Sequence, residues 1–180
     1  AARDTGPADT GILYIAGHGI VAQPGTRFLF LPSDVRDTSS MAVLRQQALD
    51  DATLVAALAR IRTRDAFIMI DTCYAGQIDI DQLAAIGNDT GRFLLAASSS
   101  VQEALESYDD RNGVFAYALM EGLRGRAAAD AEGRITALAL GEWVMRRVPQ
   151  LAREKGHQQN AVFRAAQREL RSFPLAVVQR

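Results

Sequence analysis

The chain holds one cysteine, Cys73, and two histidines, His18 and His157. Cys73 follows the apolar run Ala66-Phe67-Ile68-Met69-Ile70 and the pair Asp71-Thr72. His18 follows a second run, Gly11-Ile12-Leu13-Tyr14-Ile15-Ala16, and stands between Gly17 and Gly19. A lone cysteine is ordinarily a small buried hydrophobe. Within reach of an imidazole it becomes a nucleophile. A free thiol ionises near pH ~8.5, so a base that raises the thiolate fraction, or takes the proton during attack, activates it. The same imidazole can then protonate a departing group. Gly17 and Gly19 allow a tight turn and a close approach to His18, and Gly76 permits a sharp turn after Cys73. The amides of Gly19 and Cys73 are candidates to stabilise an oxyanion. His157, inside Lys155-Gly156-His157-Gln158-Gln159, reads as a surface residue.

For a thiol and an imidazole 55 residues apart to meet, strands must carry them. Residues 11–16 suit a buried strand. Residues 27–31, closed by Pro32-Ser33-Asp34, suit a small hairpin or peripheral strand. Leu54, Val55, Leu58 and Ile61 fall at helical spacing over residues 51–62, with Asp50 and Asp51 as N-terminal caps. Residues 66–70 and 92–97 are β-prone; the first delivers Asp71-Thr72-Cys73, the second Ser98, Ser99 and Ser100. Residues 114–124 and 136–155 read as helices, the latter kinked or divided at Pro149. Residues 173–178 read as a last strand. Alternating strands and helices predict an α/β fold, with a mostly parallel sheet covered by helices on both faces. In such sheets, sites form at the carboxyl ends of strands, and neighbouring strands lie only about 4.8 Å apart. His18, Cys73 and Ser98 all stand at such ends.

The whole chain, residues 1–180, reads as one domain: a length of 180 suits a single core. At 48% hydrophobic and 23% charged it has the composition of a soluble globular protein. A net charge of −1 offers no long-range attraction to nucleic acid or to a membrane surface. No apolar run approaches the roughly 20 residues needed to cross a bilayer, and no signal-peptide pattern is present, so a cytoplasmic location is the expectation. A single cysteine excludes an internal disulfide and a multi-cysteine metal site.

Tyr14-Ile15-Ala16-Gly17-His18-Gly19 resembles the histidine motif of the caspase and metacaspase clan of cysteine peptidases. Ile70-Asp71-Thr72-Cys73-Tyr74-Ala75-Gly76 resembles its Asp-x-Cys-x-x-Gly cysteine motif. Ala97-Ser98, followed by Gln102-Glu103-Ala104-Leu105-Glu106, is similar to the segment that carries an acidic specificity residue in metacaspases. Gly113-Val114-Phe115 and Phe173-Pro174-Leu175 also fit bacterial members. The ordered set spans nearly the whole chain.

The resemblance implies a Cys73–His18 dyad hydrolysing peptide bonds in protein substrates. It implies cleavage after arginine or lysine, because the slot two residues before the cysteine holds aspartate in metacaspases. An ionised aspartate offers guanidinium a bidentate acceptor, so Asp71, Glu106 and Ser98 become the expected substrate-binding residues. The sequence departs from the family at Ala16, where serine is frequent, and at Tyr74, where histidine is frequent. The family's two strands before the histidine strand find no room here. The expectation is that they were removed, that they belong to another chain, or that this sequence is a truncated piece, with activation by self-processing or by an upstream protease.

Many metacaspases need calcium, and Asp34, Asp50, Asp51, Asp79 and Asp81 fall in regions that supply its ligands there. Helix capping by Asp50 and Asp51, with the others solvated in loops, accounts for the same residues without a metal, and no cofactor is required. Two other function classes stay open. One is a non-catalytic caspase-like scaffold, which typically lacks one dyad member. The other is a nucleotide- or flavin-binding α/β domain, for which Gly17-His18-Gly19 lacks the third glycine of G-x-G-x-x-G.

Overall fold

The structure, a computed structural model, describes residues 6–21, 28–78, 92–165 and 172–178. It is a mixed α/β fold. The central sheet is built on β5 (Asp65–Asp71), whose five middle residues are all buried. Alternation along a strand sends successive side chains to opposite faces. Phe67 and Met69 therefore enter one hydrophobic cluster, and Ile68 and Ile70 enter another. β1 (Thr10–Ala16) runs parallel to β5 on one side, from Thr10 opposite Asp65 to Ala16 opposite Asp71. β6 (Arg92–Ala96) runs parallel on the other side and divides its side chains the same way. The far edge is β8 (Val162–Ala165), antiparallel to β6 and without a distinguishing mark in the sequence.

Helices cover both faces of β5 and β6, as their uninterrupted apolar runs require. β1, expected as a buried strand, is instead an edge strand of the described sheet and leaves Ile12 and Tyr14 exposed. On one face α2 (Asp51–Ala59) buries Leu54, Val55 and Leu58 against Ile68, Ile70, Leu94 and Ala96. Its first turn is closed by the Asp50 carboxylate, which accepts from the Thr53 amide at 2.8 Å. The preceding α1 (Met41–Gln47) is capped likewise by Ser40. On the other face lie α3 (Val114–Glu121) and α4 (Ala137–Glu154), packed against Phe67, Phe93 and Leu95. α4 passes through Pro149 undivided. Its buried stripe of Leu140, Val144, Val148 and Leu151 runs past the proline, which sits half-buried beside it. A continuous apolar stripe thus outweighs the one backbone bond that proline forfeits.

Two antiparallel ribbons flank the sheet. β2 (His18–Val21), β3 (Phe28–Leu31) and β4 (Leu49–Asp50) form one, pairing His18 with Leu31 and Gly19 with Phe30. β7 (Arg134–Thr136) pairs with β9 (Pro174–Val177), so the last strand joins a small ribbon and not the central sheet. Among the described residues no helix is long and apolar enough to cross a membrane.

Candidate active site

The carboxyl ends of β1 and β5 bring His18, Asp71 and Cys73 to one place. After Ala16 the chain makes one step, Gly17, whose amide donates to the Asp71 carbonyl at 3.2 Å, and then enters β2 at His18. A cleft of about 210 Å³ opens there, lined by Ala16, Gly17, His18, Asp71, Thr72 and Cys73. Its opposite wall is Ala104, Leu105, Glu106 and Gly113. The thiol and the imidazole thus face a common space, together with two carboxylates.

The loop carrying Cys73 is held by its neighbours. The amide of Tyr74 donates to the Gln102 carbonyl at 3.0 Å, that of Gly76 to the Ser98 carbonyl at 3.0 Å, and that of Ala75 to the Ser98 hydroxyl at 3.3 Å. The Cys73 amide has no partner among the described residues. Tyr74 turns the chain with φ of 56°, a left-handed value uncommon outside glycine. A Cβ on Gly76 would lie 2.7 Å from the Ser100 nitrogen, so the loop can seat itself against the Ser98-Ser99-Ser100 backbone only because this residue is glycine.

Ser98 is fully buried and its hydroxyl donates to the Thr72 carbonyl at 3.1 Å. This corrects the expectation that it touches substrate: it lies beneath the nucleophile loop and does not line the cleft. Gly19 also departs from expectation. It is buried within the β2–β3 pairing and does not line the cleft either. A Cβ there would stand 2.4 Å from the Cys73 carbonyl oxygen and 2.5 Å from the Phe28 ring. Its evident role is to let β2 press against the Cys73 loop, which leaves the Cys73 amide as the surviving oxyanion donor of the two.

The electrostatics are those of an acidic cleft. Burial, first, and the nearby Glu106 charge hold the Asp71 carboxyl above the usual carboxylate range, against the Tyr14 hydroxyl, which donates to it at 2.5 Å. Burial also pushes the Cys73 thiol up, with Glu103, Glu106 and Asp71 adding to the effect. Its sulfur lies 3.8 Å from the Ala104 carbonyl oxygen. Glu106 stands 3.1 Å from His18 Nδ1, so the carboxylate expected to bind substrate is engaged with the imidazole. Both side chains are well exposed, which limits the energy of the pair.

The wall opposite Cys73 has its own ties, which sequence reasoning missed. Gln159 is buried and bridges two segments, accepting from the Leu105 amide at 2.8 Å and donating to the Ala97 carbonyl at 2.9 Å. Tyr74 donates to the Glu103 carboxylate at 2.9 Å, and His157 Nε2 lies 3.1 Å from the Glu103 carbonyl. For Tyr14 the sequence carries half of the signal: alternation along β1 places it with Ala16 on one side of the strand, and the pairing of Ala16 with Asp71 supplies the rest.

Of the calcium candidates, the three among the described residues, Asp34, Asp50 and Asp51, form no metal cluster. Asp50 caps α2, Asp51 occupies its first turn and Asp34 lies exposed in a loop, while Asp79 and Asp81 lie outside the described residues. Among the described residues no three His, Cys, Asp or Glu side chains converge on a metal position.

No family model matches the sequence, and no curated protein matches it. A solved structure does: protein GSU0716 from Geobacter sulfurreducens, a structural genomics target. The likeness covers 99% of this chain and 75% of that one at a TM-score of 0.62. At 15% identity it establishes a common fold and nothing about chemistry.

Proposed function

We propose that this chain is a cysteine endopeptidase of the caspase and metacaspase clan, cutting proteins after arginine or lysine. The observation that carries the reading is the shared cleft: Cys73, His18, Asp71 and Glu106 all line it.

In this reading the basic side chain of the substrate enters beside Asp71. An arriving cation stabilises the charged carboxylate and offsets the burial that otherwise disfavours it. The raised thiol makes a preformed thiolate scarce at neutral pH. His18 therefore takes the thiol proton as sulfur attacks the carbonyl carbon. With Nδ1 engaged by Glu106, Nε2 is the ring nitrogen left for this transfer. The oxyanion is stabilised by the Cys73 amide, which has no other partner among the described residues. Collapse breaks the C–N bond, His18 delivers its proton to the leaving amine, and water then hydrolyses the thioester. Activation by proteolytic processing and a cytoplasmic location belong to the same proposal.

Fluorogenic peptides ending in Arg, Lys or Asp, assayed with and without calcium, test it. The expected result is turnover of the Arg and Lys peptides alone, lost by at least about a thousandfold in Cys73→Ala. Turnover that survives Cys73→Ala, or a preference for Asp, overturns the reading. No turnover under any condition leaves the scaffold alternative.

A further inference from the structure

A second, larger depression of about 600 Å³ adjoins the cleft. It shares Ala16, Gly17 and His18 with the cleft but includes none of Cys73, Asp71 or Glu106. Its remaining walls are Phe30, Leu31, Pro32 and Val35, with Ser33 and Thr38 as its further polar side chains. Among the described residues its only ionisable wall is the shared His18, whereas the cleft has two carboxylates. Two adjoining spaces of opposite chemistry meet at the imidazole.

The proposed reaction fixes which part of a substrate reaches each. The group that protonates the departing amine must stand beside it. The depression meets the cleft along Ala16, Gly17 and His18 and has no wall at Cys73, so it lies on the imidazole's side, the amine side of the cleaved bond. We propose that this depression is a specificity subsite that takes a large apolar side chain on the first residue of the leaving peptide. The inference rests on the peptidase reading and narrows its substrates to a basic residue followed by a bulky apolar one. A concave apolar wall with few polar groups suits such a side chain and disfavours a carboxylate, which would lose water without gaining a partner.

The test uses internally quenched peptides identical but for the residue after arginine, which is Leu, Phe, Gly or Asp. Alongside them runs the matching peptidyl-arginine methyl ester, whose methanol leaving group places nothing in the depression. Expected is a kcat/KM for Leu and Phe about tenfold or more above Gly and Asp. Val35→Asn abolishes that preference and leaves the ester unchanged. Thr38→Trp, at an exposed position on the rim, gives the same pattern by filling the space and serves if Val35→Asn folds poorly. Equal rates for the four peptides with normal ester turnover overturn the subsite alone, as does a variant that slows the ester as much as the Phe peptide. Failure to cleave any of these substrates, in parallel with Cys73→Ala, sinks the peptidase reading and the subsite with it.

Discussion

Asp71 carries two burdens that a single substitution separates. Its carboxyl is raised by burial and by Glu106, with the Tyr14 hydroxyl as its hydrogen-bond partner. A carboxyl raised on folding favours the folded state below its unfolded value and costs stability as pH rises through its folded value. Asp71→Asn is therefore expected to raise the melting temperature at pH 7. The gap to the wild type should close on acidification, as Asp71 itself becomes neutral, and thermal melts at several pH values measure it. The same variant should raise KM for arginine peptides by about tenfold or more, since a buried charged hydrogen bond is lost. A variant less stable than the wild type at pH 7, with unchanged KM, would remove Asp71 from the pocket. The position of Asp71 was readable because a β-prone run must end where its apolar residues end. Its bond to Tyr14 was readable only from strand pairing, which the sequence does not print. Glu106 lines the cleft as expected, but its contact with His18 was not legible: residues 101–113 have no periodicity, so nothing in their order says that this side chain turns to the imidazole.

At the level of elements, the Cys73 loop depends on what lies below it. Ser98 satisfies the Thr72 carbonyl and the Ala75 amide at once, both buried beside β6. Ser98→Ala leaves that pair unsatisfied and should cost about 1–3 kcal/mol of stability by urea unfolding. Turnover of Arg and Lys peptides should fall together, because the loop moves and the pocket does not. A selective loss of one substrate would return Ser98 to a direct role. The strand ends were legible, since five-residue apolar runs followed by polar residues mark them. Which way a residue faces just past such an end was not, because alternation stops where pairing stops. Gln159 shows the same limit at greater range. It is 62 residues from the carbonyl it binds and sits in a polar stretch that reads as ordinary loop.

For the molecule as a whole, the α/β arrangement and its two covered faces followed from composition and run length. The antiparallel β8 and the separate β7–β9 ribbon did not, because short half-buried strands have no strong alternation to read. The feature with the widest reach is the β1–β5 pairing, unbroken over seven positions up to the rim of the cleft. It makes the separation of nucleophile and base a property of a backbone ladder, like marks on one ruler. A slip by a single position would turn every side chain of β1 to the opposite face and carry Tyr14 away from Asp71. Partial misalignment is thus penalised as heavily as full opening. On heating, the loss of peptide turnover should follow the loss of circular dichroism with one shared midpoint. Inactivation several degrees ahead of melting would mean that the two marks can drift while the ruler stays whole.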